Sequence, residues 1–306
     1  MDLSNKKKPT TGYVYDKIYK EHILFKGHPE SPDRLTAIQD RLKQTGLFDE
    51  VKHLVPKKDP IPFIKRIHSQ NHVSRIKSIP KTGQIAVKAV SGVLEAVDAV
   101  CSGDVKNAFC AIRPPGHHAQ NSGSEEGFCF YNNISVAARY IQETYFYKNI
   151  LIIDWDYHHG NGTEHFFYED PSVLFFSTHD WYAYPGTGDP LKTGSGEGKG
   201  YNINVHISPG SGDKTIQKAW EENLIPKLDS FHPDFVLISA GFDSRVEDLL
   251  GSFSITDKGF YELSRTALHI ADTYCEGRLV SVLEGGYNPT GLAKAVSVHI
   301  KALLRY

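Results

Sequence analysis

The sequence predicts an α/β fold, a single domain on a central eight-stranded, mostly parallel sheet with helices on both faces. Two observations carry that prediction. Apolar, β-branched runs alternate with helix-like segments along nearly the whole chain, the pattern of successive βαβ units. Four polar clusters follow such runs, where an open parallel sheet gathers its ligands outside the carboxyl ends of its strands. A length of 306 residues fits one large domain of this kind.

In chain order, the strands are expected at 12–15, 51–55, 107–112, 149–154, 173–177, 201–207, 234–240 and 278–283. The first helix opens at Ser31-Pro32, a cap followed by proline at the first helical position, and stops at Gly46. Further helices are expected over about 85–101, 132–147, 213–229, 256–275 and 289–303. Residues 1–10, MDLSNKKKPT, read as a loose tail, and 11–306 as the folded unit. No internal repeat or low-complexity segment interrupts it.

The hydrophobic fraction of 40% and formal net charge of −2 exclude a disordered chain and a surface that coats nucleic acid. No run approaches the ~20 apolar residues of a spanning helix, and no apolar stretch follows the basic start, so neither a membrane span nor a signal peptide is expected. The four cysteines (Cys101, Cys110, Cys129, Cys275) lack paired spacing and read as reduced thiols, which favours a cytoplasmic setting. The glycine-rich stretch 185–200 ends Gly198-Lys199-Gly200, without the Ser or Thr a phosphate loop needs after its lysine. It is expected to be an irregular loop near the site.

The four polar clusters are RPPGHHA (113–119), DWDYHHG (154–160), AGFDS (240–244) and LEGGYN (283–288). If the strand of the second persists to residue 158, its period of two sends Asp154, Asp156 and His158 to one face. Buried without compensation these groups would cost several kcal/mol each, so a cation among them is the economical explanation. Asp243, at the end of another strand, completes the set. Asp156, His158 and Asp243 offer oxygen and nitrogen but no sulfur, the composition of an open catalytic site rather than a closed structural one. Taken singly, each could equally be a cap or a hydrogen-bonded core residue.

His117 and His118 follow a rigid Pro-Pro-Gly turn. Adjacent histidines diverge too much to bind one ion but suit proton transfer beside a metal site. Tyr287, on an open Gly-Gly turn, can donate to an oxygen that becomes negative in a tetrahedral intermediate.

In order and spacing, RPPGHHA, GFCFYNN (127–133), DWDYHHGNGT, YPGTGD (184–189), AGFDSR and LEGGYN resemble the histone deacetylase / acetylpolyamine amidohydrolase family, with HPESPDRL (28–35) similar to its N-terminal signature. The similarity spans about 12–303. It implies the arginase-deacetylase fold and a zinc-dependent amide hydrolase acting on an acylated lysine or related acylated amine. Carried over position by position, it implies zinc on Asp156, His158 and Asp243, His118 as general base and acid, and Tyr287 polarising the carbonyl. It also implies His117 assisting, oriented by Asp154, and Phe128 and Tyr184 walling an acyl-lysine channel. A structural monovalent cation, potassium, is implied at Asp154 and Ser177. Fe(II) accepts the same catalytic ligands as Zn(II).

Three departures from the family pattern refine this. Asn161 stands where many members have aspartate beside the second histidine, as in the class II branch, leaving less negative charge near His118. The segment between His68-Ser69 and Gln84-Ile85 is short, and residues 60–94 contain no Asp or Glu, so a wider rim and weak dependence on peptide context are expected. That shortening also removes an element used for dimerisation in bacterial polyamine amidohydrolases, and the oligomeric state stays open. Leu250 occupies the gatekeeper position seven residues after Asp243, where the polyamine-selective branch has an acid, which favours lysine-like or neutral substrates. A binuclear manganese ureohydrolase would need a second carboxylate set, but the later strand ends in GFDS with one Asp. A binding module that had lost catalysis should lack a ligand, a histidine or the tyrosine, and all are present.

Overall fold

A computed structural model describes residues 11–306; the expected tail over 1–10 lies outside the described residues. All eight expected strands form: β1 (Thr11–Val14), β2 (Lys52–Leu54), β3 (Asn107–Cys110), β4 (Ile150–Asp154), β5 (Val173–His179), β6 (Asn202–His206), β7 (Phe235–Ala240) and β8 (Leu279–Leu283). They make one sheet in the order β2-β1-β3-β8-β7-β4-β5-β6, and every pairing is parallel. The centre of this order places the site. β3, β8, β7 and β4 are consecutive neighbours, and the four polar clusters are the segments that leave their carboxyl ends.

The helices are α1 (Pro32–Gln44), α2 (Leu47–Glu50), α3 (Ile61–Ile67), α4 (Gln70–Ser78), α5 (Thr82–Cys101), α6 (Asn133–Tyr145), α7 (Asn161–Phe167), α8 (Asp213–Ala219), α9 (Ile225–Phe231), α10 (Asp257–Tyr274) and α11 (Pro289–Arg305). One group packs α11 against α1 and α10; another packs α5 and α6 together with α3 and α4. Every residue of β3, β4, β7 and β8 is buried, on both pleat faces, so the sheet is covered on each side.

Local chemistry explains most boundaries. Ser69, Asn132, Thr256 and Asn288 cap α4, α6, α10 and α11 by accepting a backbone N–H of the first turn. Gly46 adopts φ 75° just past α1, the left-handed stop expected of it. The single helix expected over 213–229 is instead interrupted by a π-turn at Trp220–Leu224. Pro226 lacks the N–H that would have bonded the carbonyl four residues back, so the helix widens one turn ahead of it. Helices α2, α3, α4 and α7 were not among the expected elements, and α5 begins three residues earlier than 85.

Candidate active site

At the end of β4 the strand stops at Asp154, as the expected range 149–154 has it, and does not persist to residue 158. The side chains themselves end it. Asp154 Oδ1 accepts the N–H of Asp156 at 3.1 Å, and Asp156 Oδ1 accepts that of His158 at 2.8 Å, two Asx turns in succession. Asp156 and His158 still converge, by turn chemistry rather than by pleat. Asp243 arrives from the end of β7, its Oδ1 accepting the Tyr157 N–H at 2.8 Å.

The result is a compact cluster. His158 Nδ1 lies 3.1 Å from both Asp156 Oδ1 and Asp243 Oδ2. One ligand atom from each of the three residues lies within 4.8 Å of the others, the spacing of a metal site. Both carboxylates are buried. Burial opposes ionisation of Asp156, yet the charges of His117 and His158 hold its carboxyl well below the usual range. Burial and the charge of Asp156 push Asp243 up to about 7. Two acids this close do not both stay charged at ease, and a divalent cation would relieve both. The donor set therefore fits an oxygen- and nitrogen-ligated ion.

The histidine pair sits beside this cluster, the ring centroids of His117 and His118 4.0 Å apart. His117 Nδ1 faces Asp154 Oδ2 at 2.9 Å, and His118 Nδ1 faces Asn161 Oδ1 at 2.8 Å. Their environments push them apart. Burial disfavours charge on His117, but Asp154 and Asp156 outweigh it and raise its pKa to about 10. Burial and then the charges on His117 and His158 drive His118 well below its ordinary value. With an amide oxygen as partner, His118 carries its proton on Nδ1 and leaves Nε2 bare. A charged and a neutral imidazole thus lie side by side.

A cavity of about 410 Å³ opens onto these groups, lined among others by His118, His158, Phe128, Tyr184, Leu250 and Tyr287. Phe128 holds φ 70°, uncommon for a bulky residue, with its ring edge-on to His28 at 4.5 Å and to Tyr287 at 5.9 Å. Gly127 before it has no room for a side chain: a Cβ there would press into the His118 and Tyr184 rings. Tyr184 packs edge-on to His118 at 5.0 Å. Tyr287 is 6% exposed, and its phenol is raised well above its ordinary pKa by burial and by Asp243, so it is a protonated donor. Ser177 is the β5 partner of Asp154 in the sheet register, and its Oγ lies 2.8 Å from His179 Nδ1.

Sequence reasoning assigned no role to several buried charges that hold this site. Glu284 Oε2 accepts the N–H groups of Gly116 at 2.6 Å and His117 at 3.2 Å, fixing the histidine turn. Glu30, wholly buried, pairs with both Arg34 and Arg113. Arg34 Nε donates to the Gly286 carbonyl at 2.7 Å, and its guanidinium lies 5.1 Å from the Tyr287 ring centroid. The signal was present: Glu30 and Arg34 belong to HPESPDRL and Arg113 opens RPPGHHA.

Fold and site together define an all-parallel α/β sheet with an acid–imidazole cluster at its carboxyl edge. The chain belongs to the histone deacetylase family: the histone deacetylase domain matches residues 28–303. A probable deacetylase of Archaeoglobus fulgidus is 36% identical over 310 residues, covering 96% of this chain and 86% of the relative. Histone deacetylase 9 of Homo sapiens and histone deacetylase 5 of Arabidopsis thaliana are each 34% identical over 96% of this chain, which spans 34% and 49% of their respective lengths. The crystal structure of the HDA15 HD domain superimposes with a TM-score of 0.90 at 32% identity, covering 97% of this chain and 89% of that one. The architecture is the arginase-deacetylase fold expected from the motifs.

Proposed function

We propose that this chain is a metal-dependent amidohydrolase that removes acetyl or other short acyl groups from acylated lysine side chains or related acylated amines. The observation that carries the reading is the neutral His118 facing the same cavity as the Asp156–His158–Asp243 cluster and the buried phenol of Tyr287. Asp156, His158 and Asp243 would hold a zinc ion, or Fe(II), which accepts the same donors. When bound, the ion supplies Lewis acidity at the amide carbonyl and lowers the pKa of water.

The chain's own residues do the rest. Phe128 and Tyr184 sandwich the extended acyl-amine stem and exclude water along it. The Tyr287 hydroxyl donates to the carbonyl oxygen as that oxygen gains charge. His118 Nε2 takes a proton from the attacking water and returns one to the leaving amine nitrogen. His117, held charged by Asp154, favours the developing negative charge and keeps His118 neutral until it acts. Potassium beside Asp154 and Ser177 would stiffen the turn that carries the cluster. Leu250, 40% exposed at the cavity, gives a distant ammonium nothing to pair with, which supports acyl-lysine over acetylpolyamine. The catalytic unit is the segment 11–306, and its four free cysteines suit a cytoplasmic setting.

The test is fluorophore release from acetyl-lysine and trifluoroacetyl-lysine reporters. Activity is expected in the purified protein and is lost on chelation and in His118→Ala; release that survives both changes would defeat the proposal.

A further inference from the structure

Two glycines precede Tyr287, and Gly286 takes φ 119°, a conformation side chains rarely adopt. Such a turn is loose by composition, yet a phenol that stabilises an oxyanion must be held in place before the reaction. The tether comes from another strand end. Asp248 Oδ2 accepts the N–H of Tyr287 at 2.7 Å and that of Asn288 at 3.1 Å. The contact is reciprocal: Asn288 Nδ2 donates to the Glu247 carbonyl at 2.9 Å, while its Oδ1 caps α11 through the Gly291 N–H at 3.1 Å.

The support behind Asp248 is firm. Arg245 pairs with Asp257 at 2.7 Å, and the Val246 N–H donates to the Ile255 carbonyl at 2.9 Å. Between them and Asp248, Glu247 holds φ 66°, a strained position that persists where surroundings over-determine it. The other oxygen of Asp248 accepts the Leu250 N–H at 3.0 Å. One carboxylate therefore fixes both the backbone of the phenol donor and that of Leu250, a second residue lining the cavity.

We propose that Asp248 is a positioning residue: it acts through Tyr287, clamping the Gly285-Gly286 turn so that the phenol is preorganised toward the carbonyl oxygen. The consequence for rate rests on the amidohydrolase reading; the consequence for backbone mobility does not. An electron-poor trifluoroacetyl carbonyl needs less help from a phenol than an acetyl carbonyl, so the two substrates report on Tyr287 specifically. A merely structural role would depress both alike.

The experiment compares the full chain with Asp248→Ala, Asp248→Asn, Tyr287→Phe and the Ala/Phe double variant, with metal content and Tm recorded for each. On the acetyl reporter, Asp248→Ala is expected to lower kcat by about tenfold or more with KM within about threefold, the pattern of an interaction made in the transition state. The loss is smaller on the trifluoroacetyl reporter. Asp248→Asn recovers most of the rate, because its amide oxygen can accept the same two N–H groups. In the Tyr287→Phe background, followed on the trifluoroacetyl reporter, Asp248→Ala adds less than about twofold, since neighbours acting through one another are not additive. Hydrogen exchange in a peptide covering 284–288 speeds up in Asp248→Ala. Equal losses on both reporters, an additive double variant, or unchanged exchange would each overturn the proposal. If the wild type hydrolyses neither reporter, the amidohydrolase reading fails, and the exchange comparison alone decides the clamp.

Discussion

Replacing Asn161 by aspartate is the sharpest probe of the histidine pair. Asn161 Oδ1 accepts from His118 Nδ1 at 2.8 Å, so Asn161→Asp puts a carboxylate against the imidazole with little change of shape. With charge centres about 4 Å apart, the added attraction is about 1 kcal/mol in a water-like medium and about 4 kcal/mol at an effective dielectric of 20. At 1.36 kcal/mol per pH unit, that raises the His118 pKa by about one to three units. The starting point is low, since burial and the charges on His117 and His158 hold His118 well below its ordinary value. A general base works only when deprotonated, so the acidic limb of kcat/KM must move to higher pH by the same amount. The assay is a pH profile of kcat/KM on the acetyl-lysine reporter for both proteins, with Tm and metal content checked. A limb that stays within about 0.3 units in a folded, metal-loaded variant would refute the assignment of His118 as base.

Three further outcomes follow from the geometry. Gly241→Ala would drive a methyl group into the Asp156 carboxylate, so metal content measured after dialysis is expected to fall sharply while the far-ultraviolet circular dichroism stays native. His68, His179 and His299 are depressed by burial to about 3, so the unfolded chain binds protons that the native one refuses between there and the ordinary histidine value of about 6.5. Stability therefore falls as pH drops below that value, by up to about 1.4 kcal/mol per unit for each histidine, and urea unfolding at pH 7 and pH 5 measures it; an unchanged midpoint would contradict their neutral burial. Only residues 79–81 link α4 to α5, so deacylation of peptides differing in flanking residues should vary by less than about 100-fold, and wider variation would mean another element grips the backbone.

How far the sequence reveals this molecule depends on whether a feature is local. Strands β4, β7 and β8 are visible because a strand covered on both faces must be apolar throughout, and Ile150–Ile153 or Phe235–Ile238 cannot be mistaken for a surface segment. Helices α3 and α4 are hard to see because they are short, α3 opens on Pro60 with no side-chain cap, and the cap of α4 is one serine hydroxyl. The cluster of Asp156, His158 and Asp243 was legible as a set of residues. Its construction was not: the pleat would align Asp154, Asp156 and His158 only if the strand ran on to 158, whereas consecutive Asx turns bring them together.

The same distinction explains the motif glycines. Gly160 and Gly162 look like turn residues, yet Gly162 lies inside α7, where its N–H reaches the His117 carbonyl at 3.0 Å and a Cβ would collide with the backbone at 117–119. Gly160 leaves no space for a Cβ beside the Asp154 carboxylate, and Gly285 leaves none beside that of Asp243. Gly160 answers to a carboxylate of its own strand end, but Gly162 and Gly285 answer to groups that follow different strands, β3 and β7. Such a requirement is a property of the sheet order, in which β3, β8, β7 and β4 are neighbours, and it cannot be read from the residues on either side. The buried acid Glu284 follows the same logic. It bonds the backbone of the turn that follows β3 from the end of β8, so its role appears only once parallel pairing has brought those two strand ends side by side.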